Sequence, residues 1–261
     1  MHRCDVVVVG SGNVAEAFAR SLATCEGVTL RQIYARNEQR GRAIAQMCGC
    51  TWCTEAESIA MADIYIIAVS DRAVEEVAAA LIVPEEAIIL HTAGSVPMSA
   101  IPQRGGRRGI IYPLQSFSKG REIDLHDVPL FIEADSDTVR DSVTRLAQSI
   151  SSCVEYATSE RRRYIHLAGV FVNNFTNHMY AIGGDVLASA DLPFDILKPL
   201  IRETAAKAIA TSDPRTVQTG PAARFDRAVV ERHMAMLEGD ERKRDIYRNI
   251  TDSIWETSKK I

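Results

Sequence analysis

Val6-Val7-Val8-Val9-Gly10-Ser11-Gly12-Asn13-Val14-Ala15 is the stretch that decides the fold. Four successive valines suit a strand covered on both faces. Gly10 permits a sharp turn out of that strand. Gly12 lets backbone come close to a pyrophosphate. The amides that open the next helix, around Ser11, Asn13 and Val14, then face the anion with the helix dipole behind them. Ala15 takes the third position of the Gly-x-Gly-x-x-Gly/Ala pattern, and a strand before with a helix after is the context that pattern requires. The reading is a βα turn that holds a dinucleotide. The alternative is a glycine-rich turn without a ligand.

Outward from this turn, apolar runs alternate with helical patterns, which signals βα units and a parallel sheet. Strands are predicted over 5–9, 28–34, 49–53, 64–69, 87–91, 109–112, 129–133 and 154–156. Helices are predicted over 14–25, 38–48, 74–81 and 136–150. After residue 157 the alternation stops and the apolar residues keep helical spacing. A long helix is expected from Thr158 to about Ala190, with others over 194–211, 224–238 and 240–259. The fold class expected is therefore α/β: a doubly wound Rossmann sheet over 1–157, then an all-α domain over 158–261 for substrate and dimerisation.

The 261 residues are 46% apolar and 25% charged, ordinary for a globular protein. A net charge of −4 argues against nucleic acid as a partner. No apolar run reaches the roughly 18 residues that a membrane span needs. The opening Met1-His-Arg-Cys-Asp runs straight into a strand, which predicts no signal peptide and a cytoplasmic location. The six cysteines are expected as free thiols. Cys48-Gly-Cys50-Thr-Trp-Cys53 supplies three thiols without a nearby histidine, so packing is favoured over a metal site, and no metal is expected.

The tip of the second strand selects the dinucleotide. It reads Tyr34-Ala35-Arg36-Asn37, with no acidic residue to bond a ribose 2′-hydroxyl. Arg36 is a planar cation suited to a 2′-phosphate, Asn37 adds a donor, and Arg40 is a second candidate clamp. NADP is expected over NAD. Ligands in open α/β sheets lie beyond the carboxyl ends of strands. That rule selects Ala68-Val69-Ser70 after the fourth strand and His91-Thr92-Ala93-Gly94-Ser95 after the fifth. Ala68, Val69, Ser70, Ala93 and Gly94 are expected at the cofactor. His91 and Ser95 are candidate substrate contacts, or else satisfy local backbone. Tyr112-Pro-Leu-Gln-Ser-Phe-Ser-Lys119 follows the sixth strand as a polar loop near the same edge, with Lys119 read as a solvated cation.

The helix after Thr158 carries His166, Asn173, Asn174, Asn177 and His178 in an apolar sequence that reads as buried. At about 100° per residue His166, Asn173 and Asn177 share one stripe. Such a stripe lines a substrate cleft or an interhelical network; His178 lies off it. Arg161-Arg162-Arg163 opens this helix and reads as a solvated face, with anion binding as the minor option.

The turn at Gly10–Ala15, the Arg36-Asn37 tip, Ala68-Val69-Ser70 and the His91–Ser95 loop resemble the NADP-binding domain of the coenzyme F420-dependent NADP oxidoreductase and pyrroline-5-carboxylate reductase group. Tyr112–Lys119 and His166–Asn174 resemble the branch of that superfamily whose C-terminal helical domain is DUF2520, similar to the C-terminal domain of 6-phosphogluconate dehydrogenase. The architecture is also similar to the β-hydroxyacid dehydrogenases, which carry Lys-x-x-Asn-Asn on the long helix. Here Asn173-Asn174 match and Val170 stands at the lysine position. His166, one turn earlier, is the nearby group that can move a proton near neutral pH. The resemblance implies an NADP-dependent oxidoreductase acting on a small C=O or C=N bond, with His166 as proton carrier and Asn173, His91 and Ser95 orienting the substrate. The alternative is a non-catalytic NADP sensor. F420 as hydride source is a third option. A homodimer through the helical domain fits each of these.

Overall fold

A computed structural model describes residues 3–103 and 107–259. The predicted valine strand lies inside an eight-stranded sheet of order β3-β2-β1-β4-β5-β6-β7-β8. Strand β1 is Cys4–Val9, β2 Val28–Tyr34, β3 Thr51–Cys53 and β4 Ile64–Ile67. Strand β5 is Ile88–His91, β6 Arg108–Pro113, β7 Leu130–Ala134 and β8 Val154–Tyr156. Val6 and Val8 pack into one face's core and Val7 and Val9 into the other, so a run of valines is what the position demands. Helices α1 (Asn13–Ala23), α2 (Glu38–Cys48), α3 (Val74–Ala80) and α4 (Asp137–Ile150) cover the sheet.

The chain leaves β1 to build β2 and β3 on one side and β4 onward on the other. The switch point between β1 and β4 is where such sheets bind ligands. One strand departs from the parallel expectation: β7 runs antiparallel to β6, pairing Tyr112 with Phe131 and Ile110 with Glu133. Opposed residues of a ladder share a face. Tyr112, Ile110, Phe131 and Glu133 therefore share one side of the sheet.

The long helix is not one regular α-helix. Helix α5 spans Ser159–Gly169, a π-helical segment follows over Val170–Phe175, and α6 spans Thr176–Ala188. The two compact units of the chain divide after Asn174, inside that segment. This lies later than the 158 boundary expected from the change of pattern. The second unit contains α6, α7 (Lys198–Ile209), α8 (Arg227–Met236) and α9 (Glu241–Ser258). Among its described residues only Ala222 and Thr251 are buried. The expectation that the long helix is buried is corrected: Val172 is 74% and Leu167 52% exposed. Apolar periodicity reports a face that seeks cover, and a single chain leaves this one open.

Candidate active site

The nucleotide turn has the predicted shape. Gly10 adopts φ +129, and a Cβ there would lie 2.3 Å from the Ala68 carbonyl oxygen, so the close approach of β1 and β4 excludes any side chain. Gly12 differs: a Cβ there would meet nothing within 4 Å. It is the N-cap of α1 and offers the first-turn amides no side-chain partner. Uncapped amides at a helix start beside open space are what an anion requires.

That space is a cleft of about 510 Å³. Gly10, Ser11, Gly12, Asn13 and Val14 form its floor. Arg36 and Asn37 border it at the β2 end, Ala68, Val69 and Ser70 at the β4 end, and Phe117 from the loop after β6. Arg36 is exposed and has no hydrogen bond or ion pair among the described residues, so its guanidinium is available. Arg40 is not: its Nη2 donates to Asn13 Oδ1 at 3.1 Å and to Glu16 Oε2 at 3.1 Å. The second-clamp expectation is therefore corrected, and Arg40 ties α2 to α1 instead. Asn37 Oδ1 accepts from the Arg40 amide at 3.0 Å and caps α2. Asn13 Nδ2 donates to the Phe117 carbonyl at 3.0 Å, which fastens the loop after β6 over the turn.

A second cavity, about 590 Å³, opens beside the same loop. Leu114, Gln115 and Ser116 line it, while Phe117, the next residue, lines the nucleotide cleft. Its other walls include Tyr112, Phe131, His166, Val170, Asn173 and Asn174. The structure thus brings His166 and Asn173 to one cavity as predicted. Asn177, expected on the same stripe, is not among the lining residues. The π-helical winding over 170–175 breaks the 100° periodicity on which that alignment rested. His178 is exposed.

His166 Nδ1 lies 3.2 Å from the Tyr112 hydroxyl. The sequence reading named Tyr112 as the head of a polar loop near the site but gave it no role, although its place at the carboxyl end of β6 was a usable signal. Burial, and then the Asp71 carboxylate, push its hydroxyl pKa up, so it is protonated at neutral pH. Gly94 packs against both rings. A Cβ there would lie 2.6 Å from His166 Nδ1 and 2.9 Å from Tyr112 Cε2. The predicted β5 loop and the predicted histidine helix therefore meet at one point.

His91 is fully buried and bonded to local backbone, the second of the two roles expected for it. Its Nδ1 accepts from the Ala93 amide at 3.2 Å and its Nε2 faces the Pro97 carbonyl at 3.4 Å. Burial, and then the Arg162 guanidinium, lower its pKa to about 4, so it is a neutral latch inside the 91–97 loop. Ser95 is exposed and its hydroxyl donates to Asp71, joining the loops after β4 and β5. Of the three arginines that open α5, Arg162 is buried rather than solvated. Its Nη1 meets Glu133 Oε2 at 2.6 Å, and its Nη2 donates to the Val96 carbonyl. Ser159 Oγ also donates to Glu133, at 2.7 Å. These bonds seat α5 on β7 and on the loop beside Gly94. The described residues contain no cluster of His, Cys, Asp or Glu able to hold a metal. At Cys50, burial lifts the thiol to about 11, which disfavours the thiolate a metal would need.

Comparison with known proteins agrees with this anatomy. Residues 5–94 match the family described as NADP oxidoreductase coenzyme F420-dependent, and residues 128–254 match DUF2520, a domain of unknown function. A crystal structure described as a putative NADP oxidoreductase from Bacteroides fragilis is 38% identical, with a TM-score of 0.89 over 98% of this chain and 99% of that one. A protein from Thermotoga maritima is 22% identical, with a TM-score of 0.76 over 98% of each chain. An imine reductase from Myxococcus stipitatus in complex with NADP+ shares the fold at 13% identity, with a TM-score of 0.64 over 98% of this chain and 93% of that one. No curated protein matches. With a nucleotide cleft at the sheet's switch point, an available arginine at the β2 tip and both family matches in register, the chain belongs to the NADP oxidoreductases that join an F420-dependent-type NADP-binding domain to a DUF2520 domain.

Proposed function

We propose that this NADP-dependent oxidoreductase transfers hydride to or from a small C=O or C=N substrate held in the His166 cavity. The observation that carries the reading is one loop bordering two cavities. Phe117 faces the nucleotide cleft, and Leu114 to Ser116 face the cavity of His166 and Asn173. The turn at Gly10–Val14 holds the pyrophosphate, and Arg36, with Asn37 beside it, takes the 2′-phosphate. Ala68, Val69 and Ser70, which line the nucleotide cleft, take the nicotinamide half; Ala93 and Gly94, also expected at the cofactor, are not in that lining, and Gly94 packs on His166 and Tyr112. Bound NADPH supplies the hydride, and the protein supplies position and protonation.

In the reducing direction the carbonyl or imine carbon gains the hydride, and its π pair moves to oxygen or nitrogen. His166 gives that atom a proton from Nε2. Tyr112 serves His166 in both protonation states. Its hydroxyl accepts from Nδ1–H both in the imidazolium and in the neutral tautomer that loss of the Nε2 proton leaves. Asn173 orients the substrate, Ser95 holds the loop edge, and His91 acts from beneath it as a positioning residue. A homodimer formed through the helical unit is part of this reading, supported by there being only two buried residues among those described in that unit.

His166→Ala should lower turnover by roughly 10²–10⁴-fold while leaving NADPH affinity within about twofold. NADPH oxidation across a panel of aldehydes, ketones and imines checks it. An unchanged rate removes His166 from the chemistry. NADPH binding with no oxidation by any member makes the protein a sensor instead.

A further inference from the structure

Turnover at the His166 cavity is the premise for asking which substrates that cavity accepts. Its walls carry aliphatic and aromatic side chains from three directions: Leu114 of the loop, Phe131 of β7, and Ile165, Val170 and Val172 of the long helix. Its polar groups are the Tyr112 hydroxyl, the His166 imidazole, the Ser116 hydroxyl and the carboxamides of Gln115, Asn173 and Asn174. No lysine, arginine, aspartate or glutamate stands among the described lining residues. Arg162, one turn before His166, is committed to Glu133 and to the Val96 carbonyl.

Carboxamides and hydroxyls offer hydrogen bonds to a carbonyl, an imine or an alcohol, and they suit neutral groups. A carboxylate placed between such walls meets no permanent cation: His166 is charged only until it gives its proton to the substrate, so the carboxylate ends each turnover unpaired. We infer that the substrate is an electroneutral ketone, aldehyde or imine with an apolar body, and not an oxoacid. The apolar body lies along Leu114, Phe131 and Val170, with the reactive heteroatom at His166.

Matched ligands of equal shape test this without turnover. The full-length protein is saturated with 1,4,5,6-tetrahydro-NADP, whose nicotinamide ring is uncharged and has no hydride to give. Phenylpyruvate is compared with benzyl isopropyl ketone, and 4-methyl-2-oxopentanoate with isobutyl isopropyl ketone; an isopropyl group replaces the carboxylate in each pair. Affinity is read by ligand-observed NMR or calorimetry. The neutral member of each pair should bind at least about tenfold more tightly. Gln115→Arg, which adds a cation to the lining on an exposed loop, should narrow or reverse the difference. Equal or tighter binding of the oxoacids to the unmodified protein overturns the inference, and so does failure of both ketones to bind. Such a failure is distinguishable from failure of the catalytic reading, which is decided by NADPH oxidation and by His166→Ala.

Discussion

Gly94 shows how a single residue holds the site together. Its missing side chain is the space in which Nδ1 of His166 meets the Tyr112 hydroxyl. Gly94→Ala forces His166 or Tyr112 to move by several tenths of an ångström, and overpacking of this kind costs about 1–3 kcal/mol. The variant should melt several degrees lower and turn over at least about tenfold more slowly, because imidazole and substrate lose their alignment. Thermal melts alongside steady-state rates check both. Arg36 makes a different prediction. Arg36→Ala should weaken NADP binding by about 10- to 100-fold and leave NAD binding nearly unchanged, since one charge-assisted contact to a 2′-phosphate carries about 1.5–3 kcal/mol. Calorimetric titration with both nucleotides decides it. Gly10, Gly12 and Arg36 were legible because their chemistry is local. Tyr112 and Arg162 were not, because their importance comes from His166 and Glu133, distant in sequence.

The element that orders the site is the loop leaving β5. His91 latches it through Ala93 and Pro97, and Arg162 grips it at Val96. His91 has its folded pKa lowered to about 4 by burial and by Arg162, against roughly 6.5 in an unfolded chain. The unfolded state therefore binds the proton first as pH falls. Stability from this group is full above about pH 6.5 and is lost progressively as pH drops toward 4, by at most about 3 kcal/mol. Urea midpoints measured from pH 7 down to pH 4.5 should fall steeply in the wild type and less in His91→Asn, which cannot take up the proton. The strand and helix pattern of the first half was legible because two-sided burial makes each strand a continuous apolar run. The antiparallel turn of β7 and the π-helical segment at 170–175 were not, since nothing in Val170-Phe-Val-Asn-Asn-Phe175 sets a π turn apart from an α turn. π segments gather at functional sites, and this one gives Val170, Val172, Asn173 and Asn174 to the lining of the His166 cavity.

At the scale of the molecule, the helical unit does not bury itself. Ile209 is 84% and Met236 77% exposed, in a unit whose described residues include only two buried ones. Under the proposed dimer a second copy would cover these faces, and folding and association would then be inseparable. The melting temperature should rise with protein concentration, and light scattering should give a dimer mass. Ile209→Asp should shift that mass toward the monomer and lower the melting temperature. A concentration-independent monomer speaks against the dimer.

The sequence by itself determined the sheet, its turn for a diphosphate and the preference for a 2′-phosphate. Each of these is written in neighbouring residues: valine runs, glycines after a strand, an arginine where an acid would otherwise stand. Only the tertiary structure decided that His91 faces inward, that Arg162 is an internal ion pair and that His166 answers to Tyr112. Those roles depend on which side chains meet across long stretches of chain, and local pattern carries no record of such encounters.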